Sequence, residues 1–156
     1  MMTLKELVER HPRMAGKATI LCSDGWAWII DIFLSAVSML ERKYGHVGEV
    51  RLLFADEHMA ELDIRVDYGN AKGDEAFVGG VLDALDSAIL RSRHYCETCG
   101  ERGALRCDEI GWLTVACDTH AGADSAEMSS SYRRQVGGRV YELDPVTGTV
   151  TARGTQ

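Results

Sequence analysis

The longest regular pattern in the chain is a run of apolar residues at helical spacing between Trp26 and Tyr44. Intervals of three and four residues place these side chains on one side of a helix. Asp24 and Gly25 stand where this helix would open, and Gly45 stands where a glycine commonly ends one. The apolar sector is wider than one packing contact needs. This width indicates either a central helix packed on two sides or a helix that also forms a homodimer interface.

Two further helices are predicted, one on each side of the middle of the chain. The first begins at Thr3, because Thr3 and Glu6 have the spacing of a capping box, and it ends before Pro12. The second begins at Asp74, a residue type that caps helices well, and carries apolar residues on one side as far as Ile89.

Between the two long helices the pattern changes to a period of two residues. Apolar and charged positions alternate in residues 50–54 and 62–68, and a polar turn is predicted at residues 56–58. This pattern predicts an antiparallel β-hairpin. Its apolar face would lie on the long helix, whereas its other face, rich in carboxylates, would lie in water.

Cysteine and histidine residues form two closely spaced pairs in the second half of the chain. Two residues separate Cys96 from Cys99, two separate Cys117 from His120, and 17 residues lie between the pairs. The two pairs supply four soft or borderline donors, which is the usual set for one tetrahedral Zn2+. These four residues are the predicted zinc ligands, and the alternatives to one of them are Cys107 and, as a weaker substitute, His94.

The segment between the two ligand pairs has the pattern of a hairpin. Residues 104–107 and 112–116 are predicted strands, joined by a turn at residues 108–111, and Trp112 is expected to pack over the hairpin. Four protein ligands close the coordination shell, so the expected zinc is structural rather than catalytic. The unit would be similar to a treble clef or a zinc ribbon.

Together these elements predict an α+β fold, with helices packed on a short antiparallel sheet and a zinc-binding module appended to it. The predicted organisation is an α+β body at residues 1–93 and a zinc module at residues 94–121. Residues 122–156 follow as a linker and a candidate C-terminal β-hairpin.

Composition places the chain among ordinary globular proteins. It has 156 residues, of which 46% are hydrophobic and 26% are charged. The N-terminal residues lack the pattern of a signal peptide, and no apolar run reaches the roughly 20 residues of a membrane helix. The five cysteines are an odd number, which favours free or metal-bound thiols. We therefore expect a cytoplasmic protein.

Acidic residues are concentrated in one stretch. The chain has a net charge of -7, and residues 56–86 contain nine acidic residues opposed only by Arg65 and Lys72, which is also a net charge of -7. Such a surface either keeps the protein soluble or attracts a basic protein, in the manner of a nucleic-acid backbone. The candidate partner-binding residues are Asp56, Glu57, Glu61, Asp63 and Asp67.

Motifs typical of enzymes are missing from the sequence. It contains no His-Glu-x-x-His motif, no deaminase signature and no phosphate-binding loop. The leading hypothesis is a non-enzymatic, zinc-stabilised module that binds a protein with a basic surface. The alternatives are a nucleic-acid-associated regulatory factor that uses the zinc hairpin, although its acidic charge disfavours direct binding, and an enzyme with an unrecognised site.

Four short motifs stand out in the sequence: Asp24-Gly25-Trp26, Cys96-x2-Cys99-Gly100, Gly111-Trp112 and Cys117-Asp118-x-His120. Together they resemble motifs of a group of small uncharacterised proteins of bacteria, phages and prophages. The resemblance covers about residues 24–121 and implies a zinc site and a phage-like origin. The resemblance names no activity. The closed zinc shell, the acidic stretch and the missing enzyme motifs extend the leading hypothesis to a phage-encoded inhibitor of a host defence system, in the manner of an anti-CRISPR protein.

Overall fold

Four α-helices and three small β-sheets make up the computed structural model, which describes residues 1–154. This arrangement confirms the predicted α+β class. The helices are α1 (Leu4–Arg10), α2 (Pro12–Ala15), α3 (Ala27–Tyr44) and α4 (Glu75–Ser92). The first sheet contains β1 (Thr19–Ile20), β2 (Arg51–His58) and β3 (Glu61–Asp67); the second contains β4 (Ala104–Cys107), β5 (Leu113–Ala116) and β6 (Ala126–Glu127); the third contains β7 (Arg133–Val136), β8 (Arg139–Leu143) and β9 (Val150–Gly154).

The predicted helix boundaries agree with the structure except at the start of α3. Thr3 forms a capping box with Glu6, and the Asp74 carboxylate accepts a hydrogen bond from a backbone amide in the first turn of α4. Gly45 ends α3 with a φ of 77°, a left-handed conformation that glycine adopts at little cost. The residues Asp24–Trp26 form a separate 3-10 turn, so the helix does not open at Asp24 as predicted.

The β2–β3 hairpin is present, but its turn was predicted at the wrong place. Strand β2 continues through residues 56–58, and the turn consists of Met59 and Ala60, with φ values of 54° and 61°. An irregularity between Leu52 and Phe54 also shifts the register of the pair. As a result Phe54 pairs with Arg65 on the outer face, and the expected inward alternation fails there.

Helices α3 and α4 pack against each other and against the first sheet to form the main core. Leu62 and Ile64 point into this core, as predicted. The hairpin was predicted to lie on α3, but strand β3 lies nearest α4 instead. The amide of Leu62 donates a hydrogen bond to Oγ of Ser92, at the end of α4. Most of the wide apolar sector of α3 is buried, whereas Met39 remains 65% exposed. None of the helices in residues 1–154 has the length and apolar character needed to cross a bilayer.

The C-terminal segment is more ordered than a linker followed by a hairpin. Strand β6 pairs with β4, and the β8–β9 hairpin, which the sequence predicted, gains β7 as a third strand. The last two residues, Thr155 and Gln156, lie outside the described residues. The third sheet packs on α4 through a small cluster of Leu90, Tyr141 and Leu143.

Ion pairs reinforce the contact between α4 and the third sheet. Arg134 Nε lies 2.8 Å from Asp86 Oδ1, and Arg139 Nε lies 2.6 Å from Asp83 Oδ1. The hydroxyl of Tyr141 also donates a hydrogen bond to Asp83. Asp83 and Asp86, which belong to the acidic stretch at residues 56–86, are therefore paired with arginines of the third sheet.

Candidate metal centre

Three cysteines and one histidine converge at the second sheet. The ligand atoms of Cys96, Cys99, Cys117 and His120 all lie within 4.8 Å of one another. The sulfur atoms of Cys99 and Cys117 are 3.7 Å apart, and His120 Nδ1 lies 3.3 Å from the Cys117 sulfur. Zinc–sulfur bonds of about 2.3 Å place two tetrahedral sulfur ligands about 3.8 Å apart. The four side chains are therefore close enough to bind one metal ion.

A tight backbone loop aims the first pair of ligands. The amide of Gly100 donates to the carbonyl oxygen of Cys96 over 2.8 Å, and the Cys96 amide donates to the carbonyl oxygen of Glu101 over the same distance. Gly100 has a φ of 75°, which glycine tolerates best. The thiols at both ends of the loop consequently face the same point.

The second pair of ligands follows β5 in a single turn. The amides of His120 and Ala121 both donate to the carbonyl oxygen of Cys117. Strands β4 and β5 pair in antiparallel register, with Ala104 opposite Ala116, and this pairing brings the turn beside the first loop. The hairpin predicted between the two ligand pairs is thus confirmed.

Solvent exposure and proton affinity vary across the group. Cys96 is fully buried, whereas His120 lies at the surface. Partial removal from water raises the pKa of the Cys117 thiol, but hydrogen bonds with His120, and also with Cys99 and Thr119, outweigh this effect and bring the pKa to about 6. A thiolate at this position is the form that binds a metal.

Cys107 and Trp112 occupy positions different from those of the four ligands. Cys107 is not part of the group, and its thiol points to the carbonyl oxygen of Asp108, 3.5 Å away. Trp112 is 63% exposed, so the prediction that it packs over the hairpin is wrong. The cause is the loop at residues 108–112, in which Asp108 accepts the amides of Ile110 and Trp112 and fixes the loop.

The turn before α3 lies directly against the first ligand loop, a contact that the sequence did not reveal. The indole nitrogen of Trp26 donates to the carbonyl oxygen of Tyr95 over 2.8 Å. A Cβ atom at Gly25 would lie 2.5 Å from the carbonyl oxygen of Cys96 and closer still to that of Glu97. Only glycine fits at position 25, and the Asp24-Gly25-Trp26 motif is therefore part of the surroundings of the metal centre.

The candidate partner-binding residues divide between the two faces of the β2–β3 hairpin. Side chains alternate along a strand, and residues paired across strands share a face. Asp56 is paired with Asp63, and Glu61 and Asp67 follow the same alternation, so these four share the outer face. Glu57 lies on the opposite face, where its carboxylate accepts the amide of Ala60.

Arginines partly neutralise the outer face. Glu61 forms an ion pair with Arg93, the residue that follows α4, and Asp63 lies 2.9 Å from Arg65. Asp56 accepts only the amide of its neighbour Glu57 among the hydrogen bonds of the described residues. Counting charges in the sequence did not show which of these carboxylates are paired with arginines in the folded protein.

Comparison with known proteins found no family model, no curated protein and no solved structure that matches the chain. What the four-residue group can do follows from its own donors. Three thiolates and an imidazole are soft or borderline ligands, and four protein donors complete a tetrahedral shell.

Proposed function

We propose that this protein is a non-enzymatic protein-binding module stabilised by a structural zinc ion. Cys96, Cys99, Cys117 and His120 would hold the zinc, because their donor types and separations suit a tetrahedral ion. With all four positions supplied by protein, no coordination site is left for a substrate. Zinc would tie the loop after α4 to the end of β5 and thereby stabilise a small sheet with few apolar side chains.

The observation that carries the binding proposal is the pairing of Asp56 with Asp63 across the hairpin. Like charges directly opposite one another destabilise a sheet. Glu61 and Asp67 add carboxylates to the same face. A basic protein surface would relieve this repulsion, so the unfavourable arrangement is understandable in a protein that binds such a partner.

The resemblance to phage and prophage proteins gives this interaction a biological setting. A phage inhibitor with this face would occupy a basic surface of a host defence protein, in the manner of an anti-CRISPR protein. Thiolate ligands persist in a reducing compartment, which fits the bacterial cytoplasm. Direct nucleic-acid binding is disfavoured, because the zinc module at residues 94–121 contains five acidic residues against only two arginines, Arg102 and Arg106.

The test is a charge reversal on the outer face that spares the ion pair between Glu61 and Arg93. Asp56, Asp63 and Asp67 are replaced by lysine, and Glu61 is kept because it pairs with Arg93. A control variant reverses three exposed acidic residues outside the β2–β3 hairpin, Glu9, Glu75 and Asp124, and so has the same net charge. The native protein, the reversed variant and the control variant are each immobilised, and the proteins that they capture from a bacterial lysate are compared.

The affinity of the captured protein is then measured at about 0.1 M and about 1 M salt, where the Debye length falls from about 10 Å to about 3 Å. We expect binding by the native protein and the control at low salt, loss in the reversed variant, and weakening of all binding at high salt. Equal binding by all three proteins at both salt concentrations would show that the outer face is only solvated.

A further inference from the structure

A groove with apolar walls lies between the ends of two hairpins. One wall is the turn of the β2–β3 hairpin, and the other is the loop of the β4–β5 hairpin. Two large apolar side chains on opposite walls of the groove are exposed to solvent: Met59 is 66% exposed and Trp112 is 63% exposed. The lining residues of this Met59–Trp112 groove are Glu57, His58, Met59, Gly111, Trp112 and Leu113, and its volume is about 300 Å3.

The Met59 wall is held in a conformation that its sequence does not favour. Met59 and Ala60 both have left-handed backbone, which two-residue turns normally assign to asparagine and glycine. The Glu57 carboxylate accepts the amide of Ala60 and helps to hold the turn. A flexible, polarisable methionine side chain presented in this way is typical of a protein-binding surface.

The Trp112 wall is equally well defined. Asp108 accepts the amides of Ile110 and Trp112, and its own amide donates to the carbonyl oxygen of Trp112. Gly111, with a φ of 86°, completes the loop. The indole is therefore presented by an ordered backbone, and less conformational freedom is lost when a partner binds.

The electrostatic surroundings of the groove select the partner. Glu57 lines it, and Asp108 and Glu109 belong to the loop that forms one wall. No lysine or arginine occurs among the lining residues, and none occurs in residues 107–127. A cationic segment is attracted to this site, while the indole face adds a cation–π interaction for a neighbouring lysine or arginine.

We infer that the Met59–Trp112 groove binds a large apolar side chain within a basic segment of the partner protein. This inference rests on the proposed function and specifies where the partner is anchored. Interfaces derive most of their affinity from a few apolar or aromatic anchors in desolvated pockets, surrounded by a polar rim. The acidic outer face would guide the partner, and the groove would hold it.

The test uses the full-length, zinc-loaded protein and three defined peptides, followed by NMR of the tryptophan indole N–H groups. The peptides are Lys-Lys-Leu-Phe-Lys-Lys, Lys-Lys-Ser-Ser-Lys-Lys and Glu-Glu-Leu-Phe-Glu-Glu. We expect the first to shift the Trp112 signal and to bind at least about tenfold more tightly than the second, and the third not to bind. Equal affinity of the two cationic peptides, or no binding of the first, would overturn the inference.

Variants assign the binding to the groove. We expect Trp112→Ala and Met59→Ala each to lower the affinity for the first peptide by at least about tenfold. The controls Ile110→Ala and Met39→Ala remove apolar side chains that are 89% and 65% exposed but do not line the groove, and are expected to leave affinity unchanged. Unchanged binding by both groove variants would contradict the inference.

The two proposals fail separately. If the groove variants bind the partner normally while reversal of Asp56, Asp63 and Asp67 abolishes binding, the groove inference is wrong and the proposed function stands. If the peptide binds in the groove but no basic protein is captured through the acidic face, the proposed function is wrong in its present form.

Discussion

The backbone amide of Gly25 donates a hydrogen bond to the carbonyl oxygen of Glu97, with 2.8 Å between the nitrogen and the oxygen. Glu97 lies between the two cysteines of the first ligand pair, and Gly25 lies in the turn that leads into α3. This contact joins the metal centre to the start of the central helix. Disturbance of either side is therefore expected to affect the other.

A methyl group at Gly25 tests this connection. In Gly25→Ala the new Cβ meets backbone atoms of Cys96 and Glu97 that cannot rotate away. We expect a loss of about 1–3 kcal/mol in the free energy of unfolding, as for other overpacked sites, and faster release of zinc to a chelator. Chemical denaturation and a colorimetric zinc assay measure the two effects.

The matched control is Gly79→Ala. Gly79 lies inside α4, and no heavy atom lies within 4 Å of its added Cβ. Alanine is the better helix former, so a gain of about 0.5–1 kcal/mol is expected. If both variants had the same stability and zinc retention, the proposed connection between Gly25 and the metal centre would be wrong.

Two cysteine substitutions separate the metal ligands from the remaining thiols. Cys99→Ser is expected to lose the zinc and to unfold at a lower denaturant concentration, because a structural zinc contributes folding free energy. Cys107→Ser should retain about one zinc per chain, since its thiol lies outside the ligand group. Elemental analysis of both purified variants checks this; retention by the first and loss by the second would reverse the assignment.

Local patterns predicted much of the fold because their causes lie within a few residues. The capping box of Thr3 and Glu6, the glycine at position 45 and the spacing of the ligand pairs all belong to this class. The hairpin turn was misplaced because polar residues at 56–58 are typical of turns, whereas Met59 and Ala60 are not.

Local sequence patterns could not predict contacts between distant parts of the chain. Nothing local indicates that Asp83 and Asp86 pair with arginines about 50 residues later in the third sheet. The same holds for the approach of Gly25 to Glu97. The four metal ligands could be predicted from the sequence, because their spacing along the chain is characteristic of a zinc site. The exposure of Trp112 could not, because it depends on the loop conformation that Asp108 fixes.

Core packing under β3 gives a further test. Leu62 is 1% exposed, and Leu62→Ala is expected to lower the free energy of unfolding by about 2–5 kcal/mol. Leu53 is 53% exposed on the neighbouring strand, and Leu53→Ala should change stability by no more than about 0.5 kcal/mol. Equal effects in urea denaturation would contradict the observed register of the hairpin.

The contact between Tyr141 and Asp83 predicts a pH effect. Burial, followed by the hydrogen bond to Asp83, raises the pKa of Tyr141 to about 12 from an ordinary value near 10. A pKa higher in the folded state means that this contribution to stability is complete below about pH 10 and is lost as the pH rises towards about 12.

Absorbance at 295 nm follows the ionisation of the tyrosines. The Tyr141→Phe variant should lack the component that titrates near pH 12, and its stability near neutral pH should fall by about 1 kcal/mol because a hydrogen bond is lost. Loss of a component near pH 10 instead would indicate that the third sheet does not pack on α4 as described.

X-ray absorption at the zinc K-edge tests the central claim most directly. The measurement uses the native protein as purified from cells grown without added metal. We predict about one zinc per chain, with three sulfur neighbours at about 2.3 Å and one nitrogen neighbour at about 2.0 Å, donated by Cys96, Cys99, Cys117 and His120. A shell of four sulfurs, a shell that contains a water oxygen, or a protein without zinc would contradict the structural zinc on which the proposed function rests.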